Sequence, residues 1–437
     1  MKLTIHRGTH EIGGSCVELE ASGTRLILDM GMPLSGPKGT PFELPRNRSI
    51  EELVAERILP DIPGLYGGPQ HGDTALIISH AHQDHYGLAG FVRPEIPVYC
   101  SAGTQALLDV SSLFLPRAVK IKGLQVLPKE GPFGLLQFQV TPILVDHSAP
   151  DALALVVEAD KTRVLYSGDL RAHGRKSGLF RKLLREPPAA IDVLLLEGTT
   201  LGRDTPPKYP NEQAVADRIV EVLKGCAKIA VMVCSSQNLD RLVSAYRAAT
   251  TAGALLVIDP YTAYVLDRLQ CISSNIPQHH WPNVRVLWCD PHMKVLKRAG
   301  KFGFLKSREC LIAVDDLKLR RGKALVLAKD NRLFPDLATP LLDAGDIEFI
   351  WSMWEGYWTD KTRTSFMRQL CEERGITPHF IHTSGHATAK DLQALVEAIK
   401  PRYVTPIHTE RRERYKALFP HVLSLDDRET KDLSALP

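Results

Sequence analysis

The chain has 437 residues, of which 44% are hydrophobic and 24% are charged, and this is enough for two domains with buried cores. The net charge of +4 identifies no partner, and no apolar run approaches the roughly 20 residues needed to cross a bilayer. The eight cysteines are scattered singly, and the start of the chain lacks the apolar stretch of a secretory signal. We therefore expect reduced thiols, no membrane partner and a cytoplasmic location.

The amino-terminal segment predicts paired strands joined at Ser22 and Gly23, because short apolar runs alternate there with turn residues. A stretch rich in proline and glycine follows, from Gly31 to about Gly72, and predicts a surface segment.

A recurring unit then dominates the chain: a short apolar run ends in a residue that can bind a metal. The residues in this position are His80, His147, Asp169, Glu197, His386 and His408. In layered α/β folds the loops beyond the strand ends form the functional rim. We therefore expect these six side chains to converge on one edge.

The pattern changes between about Gly202 and Pro378, where runs such as "KIAVMVC", "ALLVID" and "KALVLAKD" alternate with helix-like stretches. This indicates a doubly wound domain inserted into the first one. Within it, "SQNLDRLVSAYRAATTAG" predicts a helix with Ser235 or Ser236 as its N-cap and Gly253 beyond its end.

A second helix is predicted in "ATAKDLQALVEAIKP", where apolar residues share one face and Pro401 ends the helix. The residues of that face are Leu392, Leu395, Val396 and Ile399. A strand–helix–strand crossover through this helix would return His408 to the same edge as His386.

The segment "SHAHQDHYG", residues 79 to 87, places His80, His82, Asp84 and His85 in one turn. Neutral imidazole and carboxylate are the usual ligands of Zn²⁺, so the turn supplies donors for two ions. His147 and Asp169 complete the first set, and Asp169 can bridge to the second. Two ions about 3.5–4 Å apart suit the hydrolysis of a phosphodiester. A metal-free histidine cluster is the alternative, but its members would repel one another when protonated.

The turn matches the H-x-H-x-D-H motif and so resembles the metallo-β-lactamase superfamily. "LLLEGTTLG", "HTSGHA" and "PIHTE" resemble the three motifs of its β-CASP nucleases, at Glu197, His386 and His408. Nearly the whole chain is similar to the ribonuclease J-like and polyadenylation-factor nucleases of that family. The resemblance implies an α/β fold: a metallo-β-lactamase αββα sandwich built from residues 1–201 and 378–437, with a doubly wound β-CASP domain, residues 202–377, inserted into it. The active site would lie in the cleft where the two domains meet.

The resemblance also implies roles for individual residues. One zinc would be held by His80, His82, His147 and Asp169, and the other by Asp84, His85, Asp169 and His408, with Mn²⁺ as a substitute metal. His386 would protonate the leaving 3′ oxygen, and Glu197 would orient a histidine of the site. His382, Ser384 and His386 would hold a substrate phosphate. Gly198 stands where the family usually has serine.

The function expected from these motifs is zinc-dependent hydrolysis of phosphodiester bonds in single-stranded RNA, by exonuclease action, endonuclease action or both. A histidine at the third motif is typical of the RNA-acting branch. The alternatives are a nuclease acting on single-stranded DNA, a small-molecule ester hydrolase and a scaffold without activity.

Strongly basic clusters lie at residues 171–186, 294–308, 318–323 and 410–416. Any one of them is typical of a solvated helix face, but the four together indicate a polyanion partner. RNA affinity would then fall with rising salt concentration. The C-terminal domain of longer ribonuclease J proteins is not recognisable, so oligomerisation through such a domain is not expected.

Overall fold

The computed structural model describes residues 1–36, 39–69, 72–114, 120–203, 207–305, 308–320, 322–342 and 347–436. The chain forms two compact units. The first unit comprises Met1–Gln105, Arg117–Thr205 and Gly385–Pro437, and the second comprises Ala106–Pro116 and Pro206–Ser384. Within the described ranges, no helix combines the length and the apolar character needed to cross a membrane.

The described residues contain twenty strands. They are β1 (Lys2–Arg7), β2 (Cys16–Ala21), β3 (Thr24–Leu28), β4 (Thr74–Ile77), β5 (Val98–Cys100), β6 (Leu124–Val126), β7 (Phe133–Leu135), β8 (Phe138–Leu144), β9 (Leu153–Ala159), β10 (Thr162–Tyr166), β11 (Val193–Glu197), β12 (Ile229–Val233), β13 (Leu255–Ile258), β14 (Val284–Leu287), β15 (Leu311–Ile312), β16 (Ala324–Ala328), β17 (Ile347–Trp351), β18 (His379–Phe380), β19 (Tyr403–Ile407) and β20 (Thr430–Asp432).

The same ranges contain fourteen α-helices. They are α1 (Ile50–Ala55), α2 (Gln83–Tyr86), α3 (Ala102–Phe114), α4 (Ser177–Arg185), α5 (Glu212–Gly225), α6 (Leu239–Thr251), α7 (Pro260–Arg268), α8 (Asp290–Arg298), α9 (Val314–Leu319), α10 (Phe334–Leu342), α11 (Gly356–Thr359), α12 (Phe366–Arg374), α13 (Ala389–Ile399) and α14 (Tyr415–Leu418).

The first unit is built on two sheets that face each other. Their strand orders are β20-β1-β2-β3-β4-β5-β6 and β19-β11-β10-β9-β8-β7. One apolar core joins them, with Leu26 and Ile77 from the first sheet and Val140, Leu155 and Val193 from the second. Residues of α4, α13 and α14 form a second core with the second sheet. The outer helices therefore cover a sandwich of two sheets.

The predicted pairing of the first strands is confirmed. β2 and β3 are antiparallel, with Ala21 opposite Thr24, and the two residues between them are Ser22 and Gly23. Both have positive φ, 48° and 77°, which is the backbone of a tight hairpin turn.

The segment after this hairpin was predicted to lie on the surface, but part of it is buried. Helix α1 begins with a capping box in which Ser49 and Glu52 bind each other's backbone N–H groups. Beyond it, Leu59, Ile62 and Leu65 are buried. The proline and glycine residues interrupt regular structure, but the apolar residues between them still enter a core.

The second unit contains one parallel sheet with the order β15-β14-β13-β16-β12-β17-β18, and helices separate its successive strands. This is the doubly wound pattern expected for the middle of the chain. The N-cap of α6, however, is Asn238, whose side chain accepts a hydrogen bond from Arg241 N at 3.0 Å. The prediction of Ser235 or Ser236 is wrong, since Ser236 Oγ instead pairs with Thr262 Oγ1 at 2.6 Å.

Helix α13 spans Ala389–Ile399, and all four predicted apolar residues are buried. The expected strand–helix–strand crossover is wrong. β18, the strand before α13, pairs with β17 in the sheet of the second unit, whereas β19, the strand after it, pairs with β11. The local pattern revealed both strands, but it could not show that they belong to different sheets.

Candidate metal centre

The histidine-rich turn changes from extended to helical backbone partway along. β4 ends at Ile77, and the short helix α2 begins at Gln83. His82 lies immediately before α2 with φ −91° and ψ 143°, whereas Asp84 and His85 lie inside the helix. The turn thereby divides its donors between two groups, one with His80 and His82 and one with Asp84 and His85.

The segments on either side of the first hairpin, one before β2 and one after β3, hold the backbone of this turn. Met30 N donates to His85 O at 2.8 Å, and Ser15 N donates to Asp84 O at 3.2 Å. A Cβ atom on Gly31 would lie 1.8 Å from Asp84 O, so a larger residue would displace the turn. Glycine is therefore needed here for close approach of two backbones.

The first donor set comprises His80, His82, His147 and Asp169, whose ligand atoms all lie within 4.8 Å of one another. His80 Nε2 and His147 Nε2 each lie 3.1 Å from His82 Nδ1. His80 Nε2 also lies 3.7 Å from an oxygen of Asp169. The structure thus brings together the four residues expected to hold one ion.

The second donor set comprises Asp84, His85, Asp169 and His408, again with all ligand atoms within 4.8 Å. His85 Nε2 lies 3.2 Å from Asp169 Oδ2, and His408 Nε2 lies 3.3 Å from Asp84 Oδ2. His408 has a positive φ of 52°, and its backbone N–H donates to Gly8 O at 2.6 Å. This backbone conformation is held by Gly8, which directly follows β1, and Asp169 is the residue common to both sets.

The burial and hydrogen bonding of Asp169 show whether a cation fits between these donors. Its side chain is 1% exposed, and no hydrogen bond from the described residues satisfies either of its oxygens. Burial would raise the pKa of Asp169, but attraction to His408, His85 and His386 outweighs burial and holds the pKa well below its usual range. A buried, ionised carboxylate without hydrogen bonds is costly unless a cation compensates it. The donor set therefore fits a metal.

The histidines of the first set favour the neutral form, which is the form that can bind a metal. Burial lowers the pKa of His82 to about 4. Burial also lowers the pKa values of His80 and His147 well below the usual range, and repulsion by neighbouring histidines adds to the effect. Because a protonated imidazole nitrogen cannot bind a metal, these shifts favour metal binding at neutral pH.

Asp29 supports the second set and was not foreseen from the sequence. Its carboxylate accepts hydrogen bonds from His85 Nδ1 at 2.7 Å, Tyr166 OH at 2.6 Å, and Ser79 N and Oγ at 2.6 and 2.7 Å. The bond to Nδ1 leaves Nε2 of His85 directed at Asp169. The signal was present, since "RLILD" is another apolar run that ends in an acid.

Glu197 lies at the end of β11 and is fully buried. Its carboxylate accepts hydrogen bonds from Thr199 N at 2.9 Å and Ala387 N at 3.3 Å, and Oε2 lies 3.6 Å from His386 Nδ1. The hydroxyl of Thr199 lies 2.8 Å from His408 Nδ1. Thr199, which the sequence reasoning missed, therefore orients one histidine while Glu197 faces another.

The space around Gly198 accounts for the glycine at this position. A Cβ atom at this position would lie 2.3 Å from the hydroxyl of Tyr415 and 3.0 Å from Thr409 Oγ1. The Tyr415 hydroxyl is fixed by its hydrogen bond to Leu196 O at 2.8 Å. A serine at this position would therefore require the Tyr415 side chain to move.

His386 lies beside both donor sets. Its ring centroid is 5.3 Å from that of His147 and 5.7 Å from that of His408, and Nδ1 lies 3.7 Å from Asp169 Oδ2. Burial would lower the pKa of His386, but attraction to Asp169 and Glu197 raises it above the usual range. The His386 side chain is 20% exposed, and in this metal-free structure it favours the protonated form, in contrast to the histidines of the first set.

His382 and Ser384 belong to the second unit, and the chain enters the first unit at Gly385. His382 Nδ1 lies 3.4 Å from Nη1 of the buried Arg241. The guanidinium also pairs with Glu212, at 3.1 Å, and donates to Ser352 O at 2.7 Å. His382 is therefore attached to a rigid buried network rather than to an isolated loop.

Comparisons with known proteins agree with this architecture. A family model described as a beta-lactamase superfamily domain matches residues 66–233. A second model, described as a Zn-dependent metallo-hydrolase RNA specificity domain, matches residues 374–418, which include His386 and His408.

Several curated relatives are similar over most of the chain. Ribonuclease J of Mycobacterium tuberculosis is 25% identical over 428 residues, covering 93% of this chain and 68% of the relative. Ribonuclease J 2 of Streptococcus pyogenes is 21% identical over 432 residues, covering 94% and 70%. A solved structure of an Enterococcus faecalis protein of unknown function matches with a TM-score of 0.76 at 20% identity, covering 98% of this chain and 99% of the other. The predicted fold class is confirmed.

Proposed function

Because the chain belongs to the ribonuclease J-like β-CASP family of the metallo-β-lactamase superfamily, we propose that it is a metal-dependent ribonuclease acting on single-stranded RNA. The observation that carries this proposal is His408. This residue completes the second donor set, and it lies in the region that matches an RNA specificity domain.

The proposed cofactor is a pair of Zn²⁺ ions, for which Mn²⁺ can substitute. His80, His82 and His147 would hold one ion, Asp84, His85 and His408 the other, and Asp169 would contribute to both. Imidazole and carboxylate donors suit zinc. When bound, the ions would activate water and offset negative charge on the phosphate.

His386 is the proposed general acid. Hydrolysis forms a bond between a water oxygen and phosphorus and breaks the bond from phosphorus to the 3′ oxygen, which must gain a proton. Glu197 Oε2 lies 3.6 Å from His386 Nδ1, and in spite of burial this carboxylate acts to raise the pKa of His386, which favours the protonated form that the transfer requires. Glu197 would keep the ring oriented.

Three further assignments belong to this proposal. His382 and Ser384, together with His386, would hold a substrate phosphate, and the hydrogen bonding of Arg241 near His382 gives them a rigid base. Residues 1–201 and 378–437 would form the metallo-β-lactamase domain and residues 202–377 the β-CASP domain. A cytoplasmic location is supported by the eight cysteines, which are all free thiols.

The testing experiment compares one labelled oligonucleotide as RNA and as DNA, with a 5′ phosphate or a 5′ hydroxyl. Wild type and Asp84→Ala are each incubated with Zn²⁺ or Mn²⁺. We expect wild type to cleave RNA in a metal-dependent way and Asp84→Ala to lose this cleavage.

Each result has a distinct meaning. Early mononucleotides would indicate exonuclease action, and internal fragments endonuclease action. Preferential cleavage of DNA would replace the RNA assignment by that of a DNA nuclease. If a protein shown to hold two metals cleaved neither polymer, the ribonuclease proposal would be wrong.

A further inference from the structure

Trp288 presents an aromatic side chain to solvent at the carboxyl edge of the sheet in the second unit. It directly follows β14 and is 39% exposed. Its backbone N–H donates to Ile312 O at 2.8 Å, which continues the parallel pairing of β14 with β15. The backbone of this tryptophan is therefore held by the sheet.

The indole of Trp288 is fixed by its edge. Nε1 donates to Asp290 Oδ1 at 2.7 Å, so this hydrogen bond orients the ring at the start of α8. Among the described residues, no aromatic ring and no cation packs on the indole. The exposed part of the ring therefore offers a π surface to a flat ligand.

A stripe of cations continues from Trp288 along α8. Lys294, Lys297 and Arg298 are exposed on this helix, and Lys301 is exposed just beyond it. None of these four cations forms an ion pair with a described residue. At a rise of about 1.5 Å per residue, the stripe begins roughly 6 Å beyond the first residue of α8. Uncompensated cations attract a polyanion, and an indole stacks on a base, so the two features together fit an unpaired nucleic acid.

Trp288 and His382 lie at the same edge of this sheet. β14 and β18 end just before them, and all the pairings that connect these two strands are parallel. The order β14-β13-β16-β12-β17-β18 contains five strand spacings, which amount to roughly 24 Å. Folds of this kind bind ligands at the carboxyl edge. An RNA held by a phosphate at His382 would reach Trp288 with about seven nucleotides, at about 3.4 Å per stacked nucleotide.

We propose that Trp288, together with the cationic stripe of α8, is a base-stacking platform for the single-stranded RNA substrate, distant from the reacting phosphate. This inference rests on the proposed function. Every base has a π face, so an indole stacks on bases without selecting a sequence. Trp288 would therefore strengthen the binding of longer RNA molecules and take no part in the chemical step.

The first test measures the dissociation constant of an RNA of about 12 nucleotides in the Asp84→Ala background, in which the RNA stays intact. We expect Trp288→Ala to raise this constant roughly 5- to 150-fold, as the loss of one stacked base does. Trp288→Phe keeps an aromatic ring and should keep most of the affinity. Trp288→Leu keeps only apolar bulk and should lose affinity as Trp288→Ala does.

The matched control is Leu319→Ala. Leu319 is another exposed apolar residue of the second unit, 83% exposed at the end of α9. It lies shortly before β16 begins, and therefore towards the opposite edge of the parallel sheet. This variant should bind RNA like its parent.

Salt dependence separates the indole from the cations. Lys294→Gln removes one positive charge, and it should make the slope of log affinity against log salt concentration shallower by about 0.7. Trp288→Ala should leave this slope unchanged. An abasic RNA of the same length should bind equally to Trp288→Ala and to its parent, because no base remains to be stacked.

Substrate length tests the position of the platform. In the cleaving enzyme, Trp288→Ala should leave kcat/KM unaltered for an RNA of about four nucleotides, which is too short to reach from His382 to Trp288. For an RNA of about 12 nucleotides, kcat/KM should fall, and the fall should lie in KM rather than in kcat.

Three results would each overturn the inference. These are an unchanged dissociation constant for Trp288→Ala, an equal loss of affinity on abasic RNA, and equal binding by the Trp288→Phe and Trp288→Leu variants. Failure of the proposed function would appear differently, as an absence of RNA cleavage by wild type.

Discussion

The carboxylate of Asp29 lies 2.7 Å from Nδ1 of His85 and so determines which nitrogen of that histidine faces the metal site. Asp29 itself has a positive φ of 63°, at the end of β3, and is fully buried. Attraction to Asp169 and Asp29 outweighs burial and raises the pKa of His85 well above its usual range. A carboxylate in this position orients the ligand and increases its basicity.

Asp29→Asn should therefore weaken the second metal site about 10–100-fold. Asparagine tolerates positive φ, so the backbone can be kept while the charge is lost. The measurement is metal content after titration with a competing chelator. Glu18→Gln is the matched control, because Glu18 accepts from His6 at 2.9 Å in a carboxylate–histidine pair outside the donor sets. Equal metal affinity in the two variants would show that Asp29 does not support the second metal site.

Asp84→Ala should lose the metal of the second site and RNA cleavage together, since Asp84 belongs to that donor set alone. Metal content by elemental analysis should fall from two ions per chain to about one. Asp73→Ala, an exposed aspartate just before β4, should keep both ions. Full activity with unchanged metal content in Asp84→Ala would contradict the assignment.

His386→Ala should keep both metals and cleave RNA roughly 10²–10⁴-fold more slowly, because the leaving oxygen loses its proton donor. The decisive comparison uses bis(p-nitrophenyl) phosphate, whose leaving group departs readily without a proton. The defect should be much smaller with this substrate. His10→Ala, an exposed histidine of the first unit, serves as the control. Loss of metal in His386→Ala would identify His386 as a ligand instead.

The proposed metal donors could be found from sequence because each lies in a short motif at the end of an apolar run. His80, His82, Asp84 and His85 needed no knowledge of strand pairing, since four donors within one turn are already neighbours. Asp29 was missed because it was read as part of a hairpin, and its partner His85 is 56 residues away. Whether two strands share a sheet depends on such distant pairings, and for that reason the crossover through α13 was predicted wrongly.

The N-cap of α6 also could not be predicted from the local sequence. Ser235 or Ser236 was predicted to cap α6, but Asn238 takes that position, and Ser236 Oγ instead pairs with Thr262 Oγ1 of a distant helix. Thr199 was missed for a similar reason, because its hydroxyl lies beside His408, which is 209 residues away in the sequence.

Gly198→Ser should destabilise the first unit. Its Cβ atom would lie 2.3 Å from the Tyr415 hydroxyl, and such overpacking costs roughly 1–3 kcal/mol. Tyr415→Phe removes that hydroxyl and should restore part of the stability in the double variant. Urea denaturation of the two single variants and the double variant measures the coupling free energy. Strictly additive effects would show that the two side chains do not compete for this space.

His292, in α8, should make the stability of the second unit depend on pH. Its Nδ1 lies 3.4 Å from Asp259 Oδ1, and Lys329 Nζ lies 2.8 Å from the other oxygen of Asp259. Burial would lower the pKa of His292, but Asp259 and Cys289 outweigh burial and raise it from 6.5 to about 9. Because the folded pKa is the higher one, the stabilisation is complete below pH 6.5 and is lost as the pH rises through about 9.

His292→Gln should thus reduce the free energy of unfolding most at pH 6, by up to about 3 kcal/mol, and progressively less towards pH 10. Urea denaturation of both proteins across this range measures the difference. Any packing lost with the imidazole contributes equally at every pH, so only the pH-dependent part reports the interaction with Asp259. His280→Gln, at an exposed histidine, should show no such trend. A constant difference between wild type and His292→Gln would mean that the pKa of His292 is the same in the folded and the unfolded protein, so that Asp259 does not stabilise the charged imidazole.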